Sequence, residues 1–262
     1  PKRTMHARID WVDCPGFEPG PGREGAREAT RFLEHARRVD ALAQVVRCFD
    51  GGFGAPDPAG ELATVSLELI LADLSVVEKR LEKLAKERRL KGKTENPLEP
   101  ALFERLRDQL ESEQPLRALE FSDDERKVMS GYAFLTLKPL IAVLNHPEGE
   151  PPDAATLAAA REAGAEVVSL CAAVEEELIE LDADEAAEFL ADLGVDEPAS
   201  HQMIRAAYGA LDLQSFFTVG PDECRAWTVR RGALAPTAAG VIHSDLERGF
   251  IRAEVCAYDD LM

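Results

Sequence analysis

Apolar residues fall into two kinds of pattern along this chain. The first is the short continuous run bounded by breakers. Ala41 to Phe49 (ALAQVVRCF), Lys138 to Leu144 (KPLIAVL) and Glu166 to Cys171 (EVVSLC) have this form. Such runs suit strands of a parallel sheet covered on both faces. Arg8 to Asp13 reads as a further strand, with Ile9, Trp11 and Val12 as its apolar members. The second pattern is the helical stripe. Leu67, Ile70, Leu74, Val77, Leu81 and Leu84 alternate spacings of three and four, a heptad-like repeat. The stripe ends in a basic tract, KRLEKLAKERRLKGK, and Asn96-Pro97 breaks the helix. Leu102, Leu106 and Leu110 continue in a second helix. The short link predicts a helical hairpin, a small antiparallel coiled coil. Further helices are expected up to about Arg38, with Phe32 and Leu33 on the apolar face, and over Ala154 to Ala163. Ala/Glu/Leu-rich helices follow from about Glu175 to Leu193 and from Ala199 to Leu211.

Strands alternating with helices imply an α/β fold built on a parallel sheet. The hairpin then lies inside the sheet domain, because strand signals stand on both sides of it. Gly/Pro-rich loops occupy Cys14 to Gly25 and Gly51 to Gly60.

Composition narrows the function classes. The chain has 262 residues, 45% of them hydrophobic and 30% charged, which fits a globular protein with more than one domain. No apolar run is long enough to span a bilayer, and no signal-peptide pattern opens the sequence. A net charge of -19 argues against a protein that coats nucleic acid indiscriminately, while leaving room for a local basic patch. Cys14, Cys48, Cys171, Cys224 and Cys256 form no CxxC pair, so a reduced, cytoplasmic chain is expected. The five histidines are scattered and suggest no metal cluster.

Three short motifs follow predicted strands. Asp13-Cys14-Pro15-Gly16 is a DxxG, the switch-II pattern of GTPase-like P-loop enzymes. There the Asp holds Mg²⁺ through water, and the glycine N–H reaches the γ-phosphate because no side chain blocks its approach. Asn145-His146-Pro147-Glu148 stands where GTPases carry Asn-Lys-x-Asp. Without the Asp, guanine loses its main partner, whereas Asn can bond adenine N6 and N7. Cys171-Ala172-Ala173 follows the next strand, where a backbone N–H meets the base. Each motif alone is better read as a polar turn or loop. Their order, each at the carboxyl end of a strand, is what points to a ligand.

Two other motifs compete. Gly20 to Gly25 (GPGREG) matches GxGxxG, but the glycines start late after the strand, and Pro19 and Pro21 stiffen the loop. A dinucleotide-binding Rossmann domain therefore stays the third reading. Gly92-Lys93-Thr94 resembles the end of a Walker A loop, yet Glu87 stands where its first glycine belongs and the tripeptide lies at a helical tip.

Read in order, 39–49, 67–84, 134–145, 169–182 and 215–255 resemble the Obg-like ATPase family, also called YchF. The resemblance covers nearly the whole chain from Arg8. It implies a P-loop nucleotide domain interrupted by a helical hairpin and followed by a β-grasp (TGS) module. The expected parts are 1–63 and 120–213 for the nucleotide domain, 64–119 for the insertion and 214–262 for the TGS start. It also implies ATP and Mg²⁺ as ligands and the ribosome as partner. Asp13 and Gly16 take the switch-II role, with Asp13 near the metal. Asn145, His146 and Glu148 face the base, and Cys171 and Ala172 supply its backbone loop. Lys86, Arg88, Arg89, Lys91, Lys93, Arg230 and Arg231 are the foremost candidates for ribosomal RNA, with Arg80 and other basic residues behind them. The chain departs from the family in lacking GxxxxGK[ST], switch I and a histidine in the loop after Phe49. It is expected to begin just before switch II and to stop within the TGS module. The competing reading is a non-catalytic ribosome- or RNA-binding module with a vestigial nucleotide fold.

Overall fold

The computed structural model describes residues 1–14, 23–52, 54–92 and 94–261. In chain order the elements are β1 (Arg3–Met5), α1 (Arg23–Ala36), β2 (Leu42–Arg47), α2 (Pro58–Lys91) and α3 (Glu99–Glu111). A 3₁₀ turn, α4 (Asp123–Met129), β3 (Leu140–Asn145), α5 (Ala154–Glu162) and β4 (Ala165–Leu170) come next. After them run α6 (Ala172–Leu178), α7 (Ala183–Asp192), α8 (Ala199–Ala210), β5 (Leu213–Val219) and β6 (Glu223–Arg230). Three short helices close the chain: α9 (Ala235–Ile242), α10 (Ser244–Arg248) and α11 (Tyr258–Leu261). The chain divides into two compact units, Asp13–Ala210 and Pro1–Val12 with Leu211–Met262.

In the larger unit β2, β3 and β4 form a parallel sheet in that order. The register aligns Leu42, Leu140 and Ala165 at one rim and Arg47, Asn145 and Leu170 at the other. All five apolar residues of β3, Leu140 to Leu144, are buried. That is the burial expected of a central strand with covered faces. Val46, Ala142 and Leu144 pack with Leu62 of α2 and Ala160 of α5.

Helix α2 starts on the Asp57 side chain, which accepts the Gly60 N–H at 3.0 Å, with Pro58 in the first turn. It stops at Gly92, whose φ of 73° permits the left-handed cap. Its apolar residues serve three clusters. Leu62 joins the sheet cluster, and Leu69 packs with Ala36 and Leu135. Ile70 and Val77 belong to the cluster shared with Leu102, Phe103, Leu106 and Leu110 of α3. Leu67, expected in the hairpin stripe, is 42% exposed, because the first turns of α2 face the sheet. The hairpin is not closed by two helices alone. Leu116, Met129 and Phe134, all downstream of α3, fill the same cluster, and Tyr132 stacks on Phe134 at 5.5 Å.

Two buried carboxylates fix this arrangement. Asp73, fully buried on α2, accepts the amides of Leu135 at 3.0 Å and Thr136 at 2.7 Å, and the Thr136 hydroxyl at 2.8 Å. Burial pushes its carboxyl up, against the pull of those donors and of Arg37. Glu99, at the start of α3, receives a two-pronged contact from Arg80, 2.7 Å at each oxygen. The Tyr132 hydroxyl donates to it at 2.8 Å. These bonds hold the Glu99 carboxyl below its usual range. Burial, followed by Glu99, pushes the Tyr132 hydroxyl up to about 12. Arg80, expected among the RNA-contacting residues, is thus held inside the insertion, where its side chain is 21% exposed.

In the smaller unit β5 and β6 pair antiparallel, and β1 pairs parallel to β6 with Arg3 opposite Glu223. The Trp227 indole donates to Thr218 at 2.9 Å, and Arg225 lies 4.1 Å from the centre of its ring. The strand expected at Arg8 to Asp13 does not form; residues 6–14 have no regular structure. Strand pairing goes to Arg3–Met5 instead, and Trp11 and Val12 stay 53% and 54% exposed. Residues 1–12, expected with the nucleotide domain, group with the C-terminal residues.

The Arg80–Glu99 pair yields a pH-dependent prediction. A depressed native carboxyl contributes stability above its unfolded value, and the contribution is lost as pH falls through the native value. Glu99→Gln should cost about 1–2 kcal/mol near neutrality, since it removes the two-pronged charge-assisted contact and leaves Arg80 only Glu87, at 3.3 Å. The deficit should shrink below about pH 4, where unfolded Glu itself protonates. Urea titrations at both pH values read this directly; an equal deficit at both would remove the ion pair from the account.

Candidate functional site

The carboxyl rim of the larger sheet gathers four of the expected residues. Asn145 ends β3, and its side-chain oxygen accepts the Ala172 N–H at 3.0 Å. Its backbone carbonyl accepts the Cys48 N–H at 2.8 Å, and the His146 N–H donates to the Leu170 carbonyl at 3.0 Å. The three strand ends are therefore laced together just beyond the sheet. Cys171 caps α6 with an extended backbone, φ -106° and ψ 107°, which turns the chain from strand into helix and presents the Ala172 amide. His146 is half-buried, and its Nδ1 lies 2.7 Å from the Pro147 carbonyl. Glu148 is exposed in the turn closed by Glu150 N–H on the Pro147 carbonyl at 3.2 Å.

This geometry refines what Asn145 can do. One lone pair of its carbonyl is spent on Ala172, which leaves the amide NH₂ as its donor group. The bond also holds the side chain in one orientation.

Asp13 is not brought to this rim by a strand. It is exposed and makes no hydrogen bond or ion pair among the described residues. Gly16 lies outside the described residues, as does most of the glycine-rich loop up to Pro21 and Gly22. Lys93 lies outside them too. Lys86, Arg88 and Arg89 are exposed on the last turns of α2 and form no ion pair among the described residues, while Lys91 pairs with Glu95 at 3.0 Å. Leu90, between them, is 81% exposed. In the smaller unit Arg230 is exposed, and Arg231 pairs with Asp212 at 3.4 Å.

One feature of the rim escapes motif reading. Arg47, opposite Asn145 in the register, donates to the carbonyls of Phe49, Asp50 at 3.0 Å and Gly54 at 3.0 Å. Asp50 accepts the amides of Gly52 and Gly54 at 3.2 and 3.1 Å. Gly52 and Gly54 both have positive φ, which lets the loop wrap around the guanidinium. The only sequence signal was an arginine at a strand end before a glycine-rich loop. Beside it, burial, helped by Glu61 and Asp153, pushes the Cys48 thiol up, so it stays an unreactive thiol. Among the described residues no three His, Cys, Asp or Glu side chains group to hold a metal.

Comparison with known proteins agrees with this architecture. Residues 213–262 match the family described as YchF-GTPase_C, a protein of unknown function (DUF933). The chain is 40% identical over its whole length to the ribosome-binding ATPase YchF of Bacillus subtilis, and spans 74% of that protein. It is 33% identical to Obg-like ATPase 1 of Schizosaccharomyces pombe, spanning 71% of it. The structure of the Schizosaccharomyces pombe YchF GTPase superposes with a TM-score of 0.73 at 34% identity, over 84% of this chain and 63% of that one. With such identity across its full length, the chain belongs to the YchF/Obg-like ATPase family.

Proposed function

We propose that this chain is part of a ribosome-associated ATPase that reads adenine at the carboxyl rim of its parallel sheet. The observation that carries the reading is the Asn145–Ala172 hydrogen bond. It places a fixed amide donor beside a helix N-terminus, where sheets of this kind take ligands. The Asn145 NH₂ donates to a ring nitrogen of the base. The His146 ring and the Cys171–Ala172 backbone flank it, and Glu148 replaces the carboxylate position that guanine would need. Relatives named as ribosome-binding ATPases support both the nucleotide and the partner. A ribosomal partner in turn implies a cytoplasmic protein.

Mg²⁺ keeps several waters and uses one or two carboxylates plus substrate phosphate, so Asp13 suits it by chemistry. The metal would neutralise phosphate charge during hydrolysis. No described residue is assigned as a catalytic group. The tip of α2 offers Lys86, Arg88 and Arg89 to RNA phosphates, with Lys91 and Lys93 beside them and Arg230 and Arg231 on the TGS-type module. These charges form a local basic cluster in a chain of net charge -19.

A second reading, a non-catalytic ribosome-binding module, is favoured by one observation: Asp13 is exposed and makes no hydrogen bond or ion pair among the described residues. The two readings differ in nucleotide binding. Asn145→Ala should weaken ATP binding by about tenfold, the loss of one good hydrogen bond to a base. Isothermal titration measures it, and unchanged affinity in the variant contradicts base reading. Charge reversal of Arg88 and Arg89 to Glu should reduce co-sedimentation with ribosomes at low salt about tenfold or more, with the difference shrinking as salt rises. Equal co-sedimentation would make the hairpin a purely structural insertion.

A further inference from the structure

The opposite, amino rim of the same sheet carries a cavity of about 670 Å³. Leu140 and Ala165, the first residues of β3 and β4, form its floor. Gly164 after α5 and Gly209 on α8 form part of its wall, and Arg117, Arg161 and Glu166 bring charge to it. It is an open, mainly polar cleft rather than an enclosed cavity.

The charges are unbalanced in a specific way. Neither Arg117 nor Arg161 has a carboxylate within ion-pair distance among the described residues, in a chain with 49 acidic and 30 basic residues. Arg117 is half-buried, and burial lowers the pKa of its guanidinium. A guanidinium has five N–H donors. Here one nitrogen donates to the Ala163 carbonyl at 2.7 Å, another makes a long contact of 3.5 Å with the Thr136 carbonyl, and Nε is buried without a partner. Capping α5 accounts for the first of these contacts. It leaves a half-buried cation beside the open cleft with no carboxylate to balance it among the described residues. Gly164 has φ 69°, and a Cβ there would lie 3.2 Å from Arg117 Nε, so a side chain at this wall would crowd the guanidinium.

From this geometry we infer that the amino-rim cavity binds a small molecule through an anionic group, a phosphate or a carboxylate, held between Arg117 and Arg161. Charge-assisted bonds to arginine are the strong kind, and its planar fork fits both groups. Glu166, exposed at the rim, repels the same anion and sets the entry side. The site lies at the other end of the strands from Asn145 and is independent of the adenine reading.

The test is titration of the protein with inorganic phosphate and, separately, with succinate, following backbone amides by NMR. Saturable shifts are expected at Gly164, Val167 and Gly209, with His146 and Ala172 at the far rim unmoved. Saturation by phosphate alone or by succinate alone identifies the anionic group; saturation by both leaves the shared chemistry as stated. Arg161 and Glu166 are exposed, so their variants keep the fold. Arg161→Gln should weaken binding about tenfold, and Glu166→Gln should strengthen it roughly threefold. Absent or non-saturating shifts, shifts confined to the far rim, or unchanged affinity in Arg161→Gln would overturn the assignment.

Discussion

The register of one buried strand governs this molecule. β3 is apolar and buried from Leu140 to Leu144, and parallel partners bond both its edges. A slip of one residue would turn its side chains to the opposite faces and break both ladders at once. The register therefore decides which residues stand at each rim. Arg47, Asn145 and Leu170 share one, and the loops beyond them meet through Asn145 and the amides of Cys48, His146 and Ala172. The cavity with Arg117 and Arg161 lies at the other. Candidate chemistry at both ends of the sheet follows from the placement of a single strand.

Helix α2 connects that sheet to the basic tip. Over 34 residues it would extend about 50 Å at the usual rise per residue. Its early turns contribute Leu62 and Leu69 to the clusters around the sheet, and its middle contributes Ile70 and Val77 to the insertion. Asp73 sits at the changeover and holds the amides of Leu135 and Thr136, a few residues before β3 begins. A continuous path of buried contacts thus runs from the insertion to the strand that carries Asn145. The Arg80–Glu99 pair keeps α3 against the same helix.

The legible parts of the chain are those where burial alone decides structure. Strands β2, β3 and β4 stand where continuous apolar runs place them, and α2 follows its periodic leucines. Legibility fails where pairing partners decide. Ile9, Trp11 and Val12 have strand character, but the strand pairing at this end of the chain goes to Arg3–Met5 on the edge of β6. It fails again for polar groups whose partners are distant in sequence. Nothing in the local pattern marks Asp73 for Thr136, 63 positions away, or Arg117 for Ala163, 46 positions away. At the site, Asn145 and Ala172 were legible because strand ends are, whereas the Arg47 loop was not, because its bonds go to backbone carbonyls that no side-chain motif records.

The central claim is that a purine base lies against Asn145, His146, Cys171 and Ala172. A crystal structure of the protein with a non-hydrolysable ATP analogue and Mg²⁺ tests it most directly. The account predicts the adenine ring at the carboxyl rim, with a ring nitrogen within hydrogen-bond distance of the Asn145 NH₂ and the Asn145–Ala172 bond intact. A base bound elsewhere, or an Asn145 side chain that never meets it, would contradict the account.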